Sequence, residues 1–192
     1  MAKMYFRYGA MNSGKTSALI QVAYNYEEKG HKIIVIKSSI DTKGNDKIVT
    51  RSGLNRKVDI LLKPEETLKN YDFKNIKCIL VDEAQFLKKH QVDELYEISK
   101  TKDIPVICYG LKSDFQTNLF EGSKRILELC DEIEELVTIC PCGKKAKLNA
   151  RKVNGQFTNT GNQIAIDMEN NITYESLCGK CYMKYVLKKD IK

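Results

Sequence analysis
Gly9-Ala10-Met11-Asn12-Ser13-Gly14-Lys15-Thr16 carries the pattern G-x-x-x-x-G-K-[ST], and each fixed position has a chemical reason. The glycines permit a tight turn whose backbone N–H groups converge on phosphate oxygens, at the positive end of the helix that follows. Lys15 would reach the β- and γ-phosphates of a nucleoside triphosphate, and the Thr16 hydroxyl would ligate Mg²⁺. Downstream, Cys78-Ile79-Leu80-Val81-Asp82-Glu83 is an apolar run that ends in two adjacent carboxylates. Asp82 is placed to hold the same Mg²⁺, directly or through water, and Glu83 follows on the other side of the pleat. A carboxylate there either orients a water for hydrolysis or takes the proton of a bound hydroxyl as its oxygen attacks the γ-phosphorus. The residues by themselves leave both chemistries open.

A second constellation is made of sulfur. Cys140-Pro-Cys142 and Cys178-Gly-Lys-Cys181 are separated by 35 residues. Four thiolates from two tight turns suit a tetrahedral Zn²⁺ with no position left for a catalytic water, so the metal expected here is structural. The other three of the 7 cysteines, Cys78, Cys108 and Cys130, sit in apolar stretches and read as buried thiols. The opening residues lack the apolar stretch of a signal peptide. No apolar run reaches the roughly 18 to 20 residues that cross a bilayer. The expected location is therefore the cytoplasm, without a membrane partner, where thiols and metal ligands are commoner than disulfides.

These residues need elements to hold them. KMYFRY reads as a short strand running into the Gly9–Thr16 turn, and helical spacing of Leu19, Ile20, Ala23 and Tyr26 predicts a helix from Lys15 to Lys29 capped by Gly30. HKIIVIKSS, KCILVD and IPVICYG read as strands buried on both faces. Helices are expected over KKHQVDELYEISKTKD and EGSKRILELC. Residues 40–56 read as an irregular loop, ELVTIC as a further strand, and the chain beyond Cys140 as short strand-like runs such as AKLNARKV and QIAI. Strands alternating with helices predict an α/β fold: a parallel sheet of P-loop NTPase type flanked by helices, with ligands beyond the C-terminal strand ends. The chain divides into a nucleotide-binding domain, residues 1–136, and a small cysteine-bearing domain, residues 137–192.

Composition is that of a globular protein, 42% hydrophobic and 30% charged. The balance of 32 Lys and Arg against 25 Asp and Glu, net +7, favours anionic ligands without naming one. The basic residues are spread along the chain, as a solvated surface would have them, and no nucleic-acid partner is expected. An ATPase or helicase fragment would share the phosphate loop but gives the cysteine quartet no role. A zinc-ribbon nucleic-acid module would leave the phosphate loop unused.

In order and wording these motifs resemble the thymidine kinases of the class shared by bacteria and animal cytosol. YGAMNSGKTSALIQVAYNYEEKG is similar to that family's phosphate loop and first helix, VDEAQFL to its acidic motif, and CYGLKSDFQTNLFEGS to the stretch after its fourth strand. CPCGKKA and SLCGKCY resemble its zinc-binding ends. The resemblance implies ATP as phosphate donor with Mg²⁺, thymidine or deoxyuridine as acceptor, and Glu83 as the base for the 5′-hydroxyl. It assigns the nucleotide to Gly9 through Thr16 and to Asp82, Glu83, Ala84 and Gln85. It assigns the nucleoside to Met11, Phe86, Leu111, Phe115, Phe120 and Tyr174, the last on a zinc-anchored lasso loop. Asp41 matches a carboxylate near the phosphates, and Arg51 falls in a T-R-S-G stretch similar to the bacterial members. Lys43 stands where the family usually has arginine, and the chain before Tyr174 lacks the family's glycine pair. A homotetramer and feedback inhibition by thymidine triphosphate are implied in the same way.

Overall fold
The computed structural model describes residues 1–51, 53–164 and 171–190. The chain forms β1 (Met4–Tyr8), α1 (Lys15–Glu27), β2 (Ile33–Ser38), β3 (Lys47–Val49), β4 (Asn55–Lys57), β5 (Ile60–Leu62), β6 (Cys78–Asp82), α2 (Lys89–Thr101), β7 (Val106–Gly110) and α3 (Glu121–Leu129). Then follow β8 (Glu132–Glu135), β9 (Thr138–Ile139), β10 (Lys145–Ala146), β11 (Leu148–Val153), β12 (Gln156–Thr158), β13 (Ile172–Leu177) and α4 (Gly179–Tyr185). One six-stranded sheet in the order β5-β2-β6-β7-β1-β8 carries the molecule, and all its pairings are parallel.

The strands expected to be buried on both faces are so for a visible reason. Along β6, Ile79 and Val81 point into one core with Val92 and Leu95 of α2 and Ile126 of α3. Cys78 and Leu80 point into the other with Leu19 and Ala23 of α1. A sheet with helices on both faces needs apolar side chains at every position, which removes the alternation that marks a half-exposed strand. Its C-terminal ends bring Gly9, Asp82 and Leu111 to one rim.

Four expectations are corrected. Residues 40–56 are not one irregular loop, because β3 and β4 pair antiparallel there, and the buried Ile48 and Val58 pin the hairpin to the core under α1. Strands of three residues are too short to show a period. The ELVTIC strand lies earlier and is split, into β8 and the two residues of β9, since β8 is an edge strand whose side chains are largely exposed. The region beyond Cys140 also holds the helix α4, whose first turn is closed by the Cys181 N–H donating to the Cys178 sulfur at 3.5 Å. The strand-like QIAI run begins at Gln163 and Ile164, which are not in a strand, and its remainder lies outside the described residues.

The expected Asn154-Gly155 turn is present, with φ of 50° and 78°, values that suit a tight two-residue hairpin between β11 and β12. A third core cluster gathers Ala146, Ala150, Leu177 and Tyr182 around Cys140 and Cys178. No helix among the described residues is long and apolar enough to cross a membrane.

Candidate active site
The turn after β1 closes only because Gly9 has no side chain: a Cβ there would lie 2.3 Å from Ser13 Oγ and 2.4 Å from the Leu136 carbonyl oxygen. Asn12 and Gly14 both take left-handed conformations, φ 66° and 76°, and Gly14 is the N-cap of α1. Lys15 is buried, with Nζ 2.9 Å from the Ala10 carbonyl, 3.2 Å from that of Gly9 and 3.4 Å from Ser13 Oγ. Burial lowers the affinity of this amine for its proton, against the pull of Glu83 and Asp82. Met11 is gripped from outside the sheet: its N–H donates to Asn149 Oδ1 at 2.8 Å, and Ser176 Oγ donates to its carbonyl at 2.5 Å. Asn149 and Ser176 are cross-strand partners on β11 and β13, so the cysteine-bearing part of the chain holds the phosphate loop directly.

Asp82 ends β6 with 4% of its surface exposed. Burial, and then the charge of Glu83, push its carboxyl up to about 8. Glu83 does not continue the pleat, as the strand pattern predicts, because its backbone turns left-handed at φ 49° and ψ 41°. The chain swings out of the sheet at that point, and the Phe86 N–H donates to the Glu83 carbonyl at 3.0 Å to close the turn. Gln85 Nε2 donates to Glu83 Oε2 at 2.5 Å, and Gln85 Oε1 accepts the Leu111 N–H at 3.0 Å. Ala84 and Gln85 are both buried.

Lys37, on β2, is 1% exposed and organises the chain that faces the phosphate loop. Its ammonium lies 3.0 Å from Asp41 Oδ2 and donates to the carbonyls of Lys43, Asn45 and Lys47. That anchoring brings Lys43, Val49 and Arg51 over the loop, where they share with Lys15, Thr16, Met11, Glu83 and Leu111 one cavity of about 350 Å³.

Four sulfur atoms meet just beyond the ends of β9 and β13. The Sγ atoms of Cys140, Cys142, Cys178 and Cys181 lie within 4.8 Å of one another, near the spacing of about 3.8 Å that four bonds of about 2.3 Å to one tetrahedral Zn²⁺ would set.

A profile of the thymidine kinase family matches residues 2–182. The chain belongs to that family. It is 42% identical over 190 residues to a thymidine kinase of Streptococcus gordonii, covering 96% of this chain and 97% of that protein. It is 40% identical over 192 residues to a thymidine kinase of Shewanella oneidensis, with 97% and 99% covered, and 42% identical over 186 residues to that of Enterobacteria phage T4, with 94% and 95% covered. Among solved structures, Bacteroides Pif1 bound to single-stranded DNA aligns with 70% of this chain and 38% of its own at 16% identity, with a TM-score of 0.39, too low to bear on fold or function.

The thymidine kinase motifs converge in part. Met11, Asn12, Gly14, Lys15, Thr16, Arg51, Glu83 and Leu111 line the one cavity, whereas Phe86, Phe115, Phe120 and Tyr174 do not. Phe86 and Phe120 instead meet edge to face at 5.8 Å. Phe115 lies under the Arg151 guanidinium, 3.6 Å from its ring centre. Arg151 Nε also donates to the Tyr174 hydroxyl at 3.0 Å, and its NH1 to the Asn162 carbonyl at 2.8 Å. Tyr174 and Phe115 thus share one cation. The chain at 165–170 that precedes Tyr174, where the glycine pair is missing, lies outside the described residues.

Sequence reasoning missed Lys37, Asn149, Arg151 and Ser176. Lys37 had a readable signal, a lone cation inside an otherwise buried strand, whereas Arg151 stands next to Lys152 in a half-buried one and does not stand out. Asn149 and Ser176 had none, because their partner is backbone.

Proposed function
We propose that this protein phosphorylates thymidine, moving the γ-phosphate of ATP to the 5′-hydroxyl and leaving thymidine monophosphate and ADP. The observation that carries this is the cavity that joins the phosphate loop to Glu83, since in-line transfer needs the phosphoryl group and the base for the attacking hydroxyl within reach of one another. The backbone of Gly9 through Gly14 cradles the phosphates, and Lys15 neutralises their β and γ oxygens. Thr16 and Asp82 offer oxygen donors for Mg²⁺, which when bound supplies positive charge to the phosphate oxygens. The donor set fits that cation: Asp82 is buried and forms no ion pair among the described residues, and a bound cation would favour its ionised form and displace the proton. Glu83 takes the proton of the 5′-hydroxyl as that oxygen attacks. Lys43 and Arg51, on the rim held by Lys37 and Asp41, offer further charge to the phosphates.

Met11 and Leu111 form the wall between phosphates and nucleoside. Phe86, Phe115, Phe120 and Tyr174 enclose the base, for thymidine and also for deoxyuridine. Cys140, Cys142, Cys178 and Cys181 hold a structural Zn²⁺, whose bonds fix the ends of β9–β13 and so the strands that carry Asn149, Arg151 and Ser176. Residues 1–136 act as the nucleotide domain and 137–192 as the zinc-binding lasso domain. We further infer a cytoplasmic homotetramer, with thymidine triphosphate as feedback inhibitor: one molecule whose triphosphate lies on the loop and whose base fills the pocket excludes both substrates.

Glu83→Gln tests the assignment. It keeps the size and a hydrogen bond but removes the base, so turnover falls roughly 10² to 10⁴-fold while ATP still binds. Turnover within a factor of a few of the wild type would remove Glu83 from this role.

A further inference from the structure
We infer that Gln85 is the residue that aims Glu83, acting on the reaction through that carboxylate and not by touching the nucleotide. The inference rests on the reading of Glu83 as the base for the 5′-hydroxyl. Gln85 is 2% exposed, and both ends of its amide are engaged by protein, the NH₂ at Glu83 and the oxygen at the Leu111 backbone.

The direction of this amide is fixed by chemistry. The Leu111 backbone N–H can only donate, so the atom 3.0 Å from it is the amide oxygen. The NH₂ must then face Glu83, where it donates at 2.5 Å to Oε2. A donor at one carboxylate oxygen holds the group as an acceptor and leaves Oε1 to take a proton from a hydroxyl entering the cavity. A glutamate arm has three rotatable bonds, and without such a tether its tip would sample positions about 1 Å or more apart, which in positioned catalysis can cost up to about 10²-fold.

The surroundings of Gln85 are built around it. A Cβ on Gly110 would lie 2.6 Å from Gln85 Oε1 and 3.1 Å from its backbone nitrogen. On the other side, a Cβ on Gly122 of α3 would lie 2.5 Å from the Ala84 carbonyl oxygen and 2.8 Å from that of Leu87. The residue whose N–H orients the amide is itself held, since Ser123 Oγ donates to the Leu111 carbonyl, on the following peptide, at 2.5 Å. The end of β7, the start of α3 and the turn after β6 therefore close on one side chain, whose NH₂ is directed at the Glu83 carboxylate in the cavity.

Gln85→Met keeps the length and burial while removing the donor. The test measures kcat, both KM values and ATP affinity for Gln85→Met, Glu83→Gln and the double variant. Aiming through Glu83 gives a kcat loss of about 10 to 100-fold for Gln85→Met with both KM values within about threefold of wild type. It also gives a further loss under about twofold when Gln85→Met is added to Glu83→Gln, because the arm then carries no base to aim. Full kcat in Gln85→Met alongside a slow Glu83→Gln overturns the positioning role and leaves the base intact. An equal loss in both backgrounds assigns Gln85 a purely structural role and also overturns it. Normal turnover in Glu83→Gln sinks the base reading and this inference together. Should Gln85→Met not fold, Gly110→Ala displaces the same amide oxygen by contact, and the same non-additive pattern with Glu83→Gln is required of it.

Discussion
Burial at the end of β6 holds the Asp82 carboxyl above the ordinary carboxylate range, with the charge of Glu83 adding to it. The consequence for stability has a definite sign. In the unfolded chain this side chain ionises near pH 4, about its ordinary value, whereas in the folded chain it keeps its proton up to about pH 8. Between those limits the folded state binds more protons than the unfolded one, so this group withdraws stability as pH rises. Asp82→Asn removes the effect. In the absence of nucleotide and Mg²⁺, the variant should be more stable than the wild type in urea, by a margin that widens from pH 5 to pH 8, while losing turnover. A margin that stays constant with pH would contradict the burial argument. Asp82 and Glu83 were both legible from sequence as carboxylates at a strand end. The left-handed turn that separates their environments was not, because nothing in the residue type of Glu83 announces a positive φ.

Between elements, the hairpin of β3 and β4 depends on one buried cation. Lys37→Met would leave Asp41 and the carbonyls of residues 43, 45 and 47 without their shared donor, and an unsatisfied buried polar group costs about 1 to 3 kcal/mol. The expected outcome is faster hydrogen exchange confined to residues 41–57, with a raised KM for ATP and a smaller change in that for thymidine. Exchange that accelerates uniformly over the sheet would show Lys37 to be a general core residue. The central strands were readable because a sheet covered on both faces demands continuous apolar runs. β3, β4 and β5 were not readable, since three-residue strands stand below the length at which periodicity exists, and α4 was hidden by the cysteines that begin it.

Across the whole molecule, the cysteine-bearing part reaches the phosphate site directly: through Asn149 and Ser176 it holds the phosphate loop at Met11, and through Arg151 it holds Phe115 and Tyr174. Withdrawal of Zn²⁺ by a chelator should therefore weaken thymidine binding first, because Phe115 and Tyr174 are tied to Arg151 on β11, and ATP binding later and less, because the loop keeps its own turn. Metal content measured alongside both affinities reports this directly, and simultaneous loss of both would point to general unfolding instead. At this scale the sequence was most informative. Two motifs far apart in the chain already demanded a phosphate site and a metal site, and what they withheld was the contact between them, which runs through backbone atoms and polar side chains of ordinary type.

The most direct measurement is phosphoryl transfer from ATP with Mg²⁺, offering thymidine, deoxyuridine, deoxycytidine and deoxyadenosine in parallel with a control lacking nucleoside. A thymidine kinase gives thymidine monophosphate well above the deoxycytidine and deoxyadenosine products, with ADP formation in the control near background. ATP consumed at one rate in every tube, control included, would mean that Glu83 activates water, and would contradict the assignment.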